Sequence, residues 1–330
     1  MKRLFVLFAF LLVSCAVFAQ DEKPQSEGTL LIVPRLDVDP AYGLGENSWS
    51  VDLGTTSFYT FFDGNLGDHF SFSLGNHWLA FSELSFGDTE SLYRNSGRAY
   101  VNNWVDWANI TFSFGGFFVN LGKDYIHFAT YEIDAYDHDS HWQINSAMWN
   151  NYQVYQWGGR IGWADEDEET KLMLEISSDQ TWEKAFEIRP LDQYAYTLYG
   201  LHEFGGLSAM ASISKCCLGV MGAMGLQTEF GDGISLGIDG YAAKSYYGAA
   251  LKAGFAPTDH FDLFVKIGYE RGDNELVLSG DRFYTGAGCY WYPLRDSQDL
   301  RVHGLVSYDN FEQTLGLSLG VTYALNLQLF

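Results

Sequence analysis

The sequence predicts an all-β protein, a transmembrane antiparallel β-barrel of about 16 strands with short periplasmic turns and longer extracellular loops. Three observations predict it. The first is the final strand, which alternates without a break from Thr314 to the terminal Phe330. Leu315, Leu317, Leu319, Val321, Tyr323, Leu325, Leu327 and Leu329 share one parity, whereas Thr314, Gly316, Ser318, Gly320, Thr322, Asn326 and Gln328 share the other. A period of two places these sets on opposite faces. An apolar face of that length invites edge-to-edge association in water but suits a lipid neighbour. The second observation is that such segments recur along the whole chain, and the third is that the connections between them differ by side.

From the N-terminus, Lys2 and Arg3 followed by the apolar run 4–13 read as an export signal, with Val17 and Ala19 at the small-residue positions before Gln20. Residues 1–19 are thus expected to be a signal peptide and 20–330 the barrel. A competing reading takes Leu12-Val13-Ser14-Cys15 as a lipidation site on Cys15. The apolar run is shorter than the about 20 residues a spanning helix needs, so residence in a membrane would be by barrel.

Alternating segments then run over 29–39, 48–63, 68–83, 103–114, 117–128, 152–164, 169–179 and 195–204. They continue over 207–215, 217–231, 233–244, 248–256, 259–272, 282–292, 300–309 and 314–329. Starting after the second, every alternate connection is short and rich in turn formers: 64–67, Gly115-Gly116, 165–168, Gly205-Gly206, Asp232, Pro257-Thr258 and 293–299. The intervening connections are mostly longer, notably 84–102, 129–151 and 180–194. Any one segment alone would suit a strand of a soluble sandwich or barrel. The series with sided loops behind an export signal points to a membrane barrel.

The net charge of −23 argues against nucleic acid as a partner. Besides Cys15, the chain holds Cys216, Cys217 and Cys289, which form no disulfide framework; one bridge to Cys289 or three small strand residues are the two readings. There is no Gly-x-Ser-x-Gly elbow and no glycine-rich phosphate loop, so no enzyme, catalytic residue or cofactor is expected. A hydrolase on a barrel and a structural or adhesive barrel with a closed lumen stand as alternatives to a channel.

By parity, Trp157 and Ile161 face outward, which turns Arg160 inward. Outward Leu251 and Ala253 place Lys252 inside, and outward Leu263, Val265 and Ile267 do the same for Lys266 and Glu270. Arg160, Lys252 and Lys266 are thereby candidates for a basic lumen wall. Tyr246, Tyr247, Trp291, Tyr292 and Tyr308 at strand ends read as interfacial girdle residues. Trp142, Trp149 and Trp157 are candidates for sugar stacking.

The stretch 117–128, ending the strand in Gly122-Lys123, then a long loop, then Asn150-Asn151-Tyr152 leading to Gly158-Gly159-Arg160 resembles bacterial outer-membrane porins. The likeness is greatest to the phosphate-selective porin O/P group and its general-porin relatives, and 284–293 with 299–308 resembles their penultimate hairpin. The resemblance implies passive diffusion of small hydrophilic solutes or ions, a setting in outer-membrane lipid, and a homotrimer. It also implies that Phe330 serves as an assembly signal for the barrel-assembly machinery, although here the leucines are shifted by one from that register. Few lysines and arginines are present to support phosphate selectivity.

In such porins the loop after the fifth strand folds inward and narrows the pore. The corresponding stretch 129–151 carries Glu132, Asp134, Asp137, His138, Asp139 and His141. Carboxylates at a constriction favour cations, and acid on the loop opposite base on the wall would set up a transverse field. A solvated surface loop and a divalent-metal site at Asp137, His138, Asp139 and His141 are the competing readings, the spacing matching no stringent metal motif.

Overall fold

The computed structural model describes residues 26–53, 56–80, 105–134, 141–152, 154–179, 190–231, 233–294 and 297–329. The expected signal peptide, Cys15, the loop 84–102 and Phe330 lie outside the described residues.

Eighteen strand segments form one antiparallel sheet. They are β1 (Ser26–Gly43), β2 (Ser48–Asp52), β3 (Ser57–Leu66), β4 (Phe70–Ala80), β5 (Val105–Phe114) and β6 (Phe117–Tyr125). Next come β7 (Tyr155–Ala164), β8 (Thr170–Ser177), β9 (Ala195–Phe204), β10 (Leu207–Cys216), β11 (Gly219–Phe230) and β12 (Ile234–Ala243). The set ends with β13 (Tyr246–Thr258), β14 (Phe261–Asn274), β15 (Leu278–Trp291), β16 (Leu300–Asp309), β17 (Thr314–Tyr323) and β18 (Leu325–Gln328). Because β2 leads into β3 and β17 into β18, these make sixteen staves, as the sequence pattern predicts.

Each stave from β3 onward pairs with its successor in the chain. Closure comes from β1, which pairs with β3 on one side (Leu31↔Phe61) and with β17 and β18 on the other (Asp37↔Gly320, Leu31↔Asn326). The Leu329 N–H donates to the Gly28 carbonyl at 2.8 Å, so the described start and end of the barrel meet at the rim that carries the short turns.

The predicted parity holds across the wall. Along β14, Leu263, Val265, Ile267 and Tyr269 are 41–47% exposed, while Phe264, Lys266, Gly268 and Glu270 between them are buried. Leu315, Leu319, Val321, Tyr323, Leu325, Leu327 and Leu329 are likewise exposed. A water-soluble sheet would bury that face; a barrel in lipid presents it. Among the described residues no helix is long and apolar enough to cross a membrane.

Three features differ from the expected pattern. The second stave breaks between β2 and β3, where the Thr56 side chain stands in for the ladder: the Asp37 N–H donates to Thr56 Oγ1 at 2.9 Å, and that hydroxyl donates to the Asp37 carbonyl. The long-loop rim is long only over the first half of the chain; from β10 onward its connections shorten to 217–218, 244–245, 275–277 and 310–313. Tyr246 is not a girdle residue. Its side chain is buried and its hydroxyl donates to Glu270 inside the barrel, whereas Tyr247 and Trp291 are exposed on the outside. Tyr246 is the first residue of β13, and its parity turns it inward. Cys216, Cys217 and Cys289 are free thiols.

An outward residue at mid-strand and one at a strand end should tolerate charge differently. Ile238→Lys in the middle of β12 is expected to cost about 2–4 kcal/mol of stability in lipid, and Ile234→Lys at its end about 0–1 kcal/mol. Urea unfolding of the two variants in vesicles measures this; equal losses would contradict the assignment of that face to lipid.

Candidate functional site

The lumen is divided by the described parts of the chain between β6 and β7, residues 126–134, 141–152 and 154, which turn into the barrel instead of lying on its rim. It carries two short helices, α1 (Tyr131–Asp134) and α2 (Ala147–Asn151). Ile126, Phe128, Ala147, Met148, Tyr152 and Val154 pack on Leu218, Met221, Tyr241, Tyr246, Val277 and Leu278 in one buried cluster. The largest hydrophobic core is therefore inside the barrel, between this segment and the wall of β10–β15.

A polar network fixes the segment to the wall. The N–H groups of Tyr131 and Glu132, at the start of α1, donate to Asp239 Oδ1 and Oδ2 at 2.8 and 3.0 Å. Orphan N–H groups at a helix start need such an acceptor. The carboxylate of Glu132 accepts from the Ser146 N–H at 2.7 Å and from the Ser146 hydroxyl, and it forms an ion pair with Lys266. At the start of α2 the Ala147 N–H donates to Glu270, 2.9 Å from Oε2. Arg282 completes the set: Nη1 reaches the Asn145 carbonyl at 2.9 Å and Glu270 at 3.1 Å, and Nε reaches Asp309 at 2.7 Å. Lys266 meets Glu132, and Arg282 meets Glu270 and Asp309, at hydrogen-bond distance, which offsets the cost of leaving water, while Asp239 is held by the main-chain N–H groups.

These contacts settle where the sequence-predicted residues stand. Glu132 and Lys266 are both 1% exposed and touch each other. They do not face one another across water, so this pair sets up no transverse field. Lys252 lies directly across the β13–β14 ladder from Lys266, its ammonium 5.5 Å from the centre of the Phe264 ring. Arg160 is paired with Asp124, and its Nη1 lies 3.1 Å from the His127 ring nitrogens; His127 in turn meets Glu175 at 3.2 Å. His141 is fully buried, with Nε2 2.9 Å from the Tyr290 hydroxyl. Asp134 closes α1, and Asp137, His138 and Asp139 lie outside the described residues.

Opposite the filled half, a cavity of about 680 Å³ lies against the inner wall of β1 and β3–β7. Among the described residues its charged lining is Glu27, Asp63 and Asp124, with neither lysine nor arginine. Trp107, Tyr125, Trp149 and Tyr155 supply aromatic surface, and Asn65, Asn109 and Thr111 supply amide and hydroxyl groups. Of these, only Trp149 is among the residues singled out in the sequence, as a stacking candidate. Trp107 and Asp63 could have been found by the parity that found Lys266, since Ile110 and Leu66 mark the outward faces of their strands.

No family model matches the chain, and no curated protein matches it in sequence. Solved structures do match it in fold. An anion-selective porin from Comamonas acidovorans superposes with a TM-score of 0.60 at 9% identity, over 91% of this chain and all of that one. The outer-membrane channel DcaP of Acinetobacter baumannii gives 0.60 at 11% identity, over 91% and 97%. A mutant of Rh. blastica porin gives 0.56 at 15% identity, over 92% and 100%. At such identities the likeness is one of fold. The chain shares the barrel fold of these proteins, with an inturned segment between β6 and β7.

The Glu132–Lys266 pair should be costly to break and cheap to replace. Glu132→Gln leaves a buried ammonium without its partner and is expected to lose about 3–5 kcal/mol, whereas Glu132→Gln combined with Lys266→Met should recover most of that loss. Urea unfolding of both variants tests this, and a single variant as stable as the parent would contradict the buried pairing.

Proposed function

We propose that this protein is a porin-like channel of the bacterial outer membrane, passing small hydrophilic solutes and ions by diffusion with a mild preference for cations. One observation carries the reading: the inturned segment fills only one half of the lumen and leaves a polar cavity along the other. A barrel built only as a structural post would gain from packing both halves. The exposed apolar faces of the staves support a lipid setting.

The source of the cation preference differs from that first expected. Glu132 is neutralised by Lys266, so the loop contributes little from that position. Glu27 and Asp63 are exposed to the cavity instead, while Asp124 is held by Arg160. Acidic groups on a low-dielectric wall raise the local concentration of cations and exclude anions. A homotrimer belongs to the same reading, supported by the in-vitro folded outer-membrane protein OmpT of Vibrio cholerae, a fold neighbour at 10% identity and TM-score 0.55 described in a trimer form. It covers 90% of this chain and 99% of that one. Assembly into the membrane by the barrel-assembly machinery, with Phe330 as its signal, is part of the proposal, as is removal of residues 1–19.

Single-channel recording of the refolded protein under a salt gradient tests it. Discrete openings with a cation-biased reversal potential are expected, and Glu27→Gln with Asp63→Asn should move that potential toward zero. An anion-biased potential would remove the selectivity claim, and a folded but silent barrel would remove the channel.

A further inference from the structure

The open half of the lumen contains a feature that ion passage alone does not require. Tyr59 and Phe61 of β3, Trp107 of β5 and Tyr155 of β7 form a continuous row of nearly parallel rings. Successive ring centres are 5.8, 5.1 and 6.0 Å apart, with planes inclined by 18°, 8° and 27°. Between Phe61 and Trp107 runs β4, and the residue in register with both is Gly75. A Cβ at Gly75 would lie 2.5–2.6 Å from three atoms of the indole, so the indole lies face-down on the bare backbone of β4. Its Nε1 donates to Ser73 Oγ at 2.7 Å, which fixes that orientation. Trp107 and Tyr155 line the cavity alongside Tyr125 and Trp149.

We propose that the cavity-lining rings, Trp107 and Tyr155 of this row with Tyr125 and Trp149, are a stacking surface for neutral pyranose sugars, and that linear oligosaccharides are solutes of the channel. The proposal deepens the channel reading and rests on it for its physiological sense. A pyranose has an apolar face of C–H groups and a girdle of hydroxyls. The first packs on flat aromatic surface, and the second needs hydrogen-bond partners around the edge. Both are present. The rings of Trp107, Tyr125, Trp149 and Tyr155 line the cavity, and Asp63, Asn65, Asn109 and Thr111 border it too. The carboxylates accept from hydroxyls, the amides both accept and donate, and the Asn109 amide is itself oriented by donating to Asp124 at 2.7 Å. Anionic solutes fit poorly, because among the described residues no lysine or arginine lines the cavity. An apolar solute would leave the edge groups without partners.

The test is calorimetric titration of the refolded full barrel, in a sugar-free detergent, with maltohexaose. Saturable binding is expected. Trp107→Ala should weaken it by several-fold to about tenfold, as loss of one aromatic contact does. Trp107→Phe keeps a ring and should restore most of the affinity. Trp291→Phe, on the outer face, should change nothing. Gly75→Ala should act like Trp107→Ala by lifting the indole from its seat. Absence of maltohexaose binding to a barrel shown folded by its heat-modifiable migration overturns the proposal. Equal binding by Trp107→Ala overturns it too, as does binding of tetramethylammonium in place of the sugar, which would make the rings a cation site. Because calorimetry does not depend on conduction, a conducting barrel that ignores the sugar defeats this inference alone. A silent barrel that binds it defeats only the channel.

Discussion

Everything in this protein depends on β1 having two partners. A strand in hydrocarbon must satisfy each backbone N–H and C=O within the protein, because no water is there to do it. The pairing of β1 with β3 on one side and with β17 and β18 on the other removes both edges of the sheet at once. Once the sheet is closed, side chains have only two destinations, lipid or lumen, and parity alone assigns them. This is why leucine, isoleucine and valine are exposed along the strands while lysine, arginine and glutamate are buried. In a soluble domain the same burial pattern would be unstable.

Closure also creates a problem that the inturned segment solves in one half of the barrel. Inward polar groups on a sixteen-stave ring are too far apart to satisfy one another across the lumen. The segment between β6 and β7 brings main-chain N–H groups to them: Asp239 receives those of Tyr131 and Glu132, and Glu270 receives that of Ala147. Elsewhere the wall brings its own polar side chains together through glycine. His303 of β16 and Asp37 of β1 meet at 2.8 Å only because the intervening residue of β17, in register with both, is Gly320. A Cβ there would fall 1.8 Å from the Asp37 carboxylate. Gly75 plays the same part between Phe61 and Trp107. Glycines in the inner parity are thus places where side chains two strands apart are allowed to touch.

That device marks the limit of what the sequence discloses. The staves, their order and the inward turn of Arg160 and Lys266 are legible because each depends on a pattern local to one strand. Their partners are not. Lys266 and Glu132 are 134 positions apart, and their contact depends on the stagger of many strands and on the depth to which the segment folds. The expected acid-facing-base arrangement followed from assuming an open gap where the structure has packing. Tyr246 shows a related failure. An aromatic residue at a strand end fits an interfacial girdle by composition, and a single residue's parity reverses that reading. Trp107 lay unnoticed in a segment read only as a strand, because its meaning comes from what Gly75, more than thirty residues earlier, leaves empty.

The division of the lumen bears on how charge and chemistry could act together. Groups that pair in the filled half hold the segment still but contribute little net field, since each charge is cancelled within a few ångströms. In the open half, Glu27 and Asp63 have no ion-pair partner among the described residues, so their charge is not cancelled in this way. A high negative net charge thus need not mean a uniformly negative pore. These carboxylates share the cavity with Trp107, Tyr125, Trp149 and Tyr155, so electrostatic preference and sugar contact would draw on one surface. An ion crossing the cavity would feel the carboxylates and pass the rings. A saccharide would use both, and its residence would shut the path to ions. Selectivity by charge and recognition by shape, as proposed, would be competing uses of one half of the barrel.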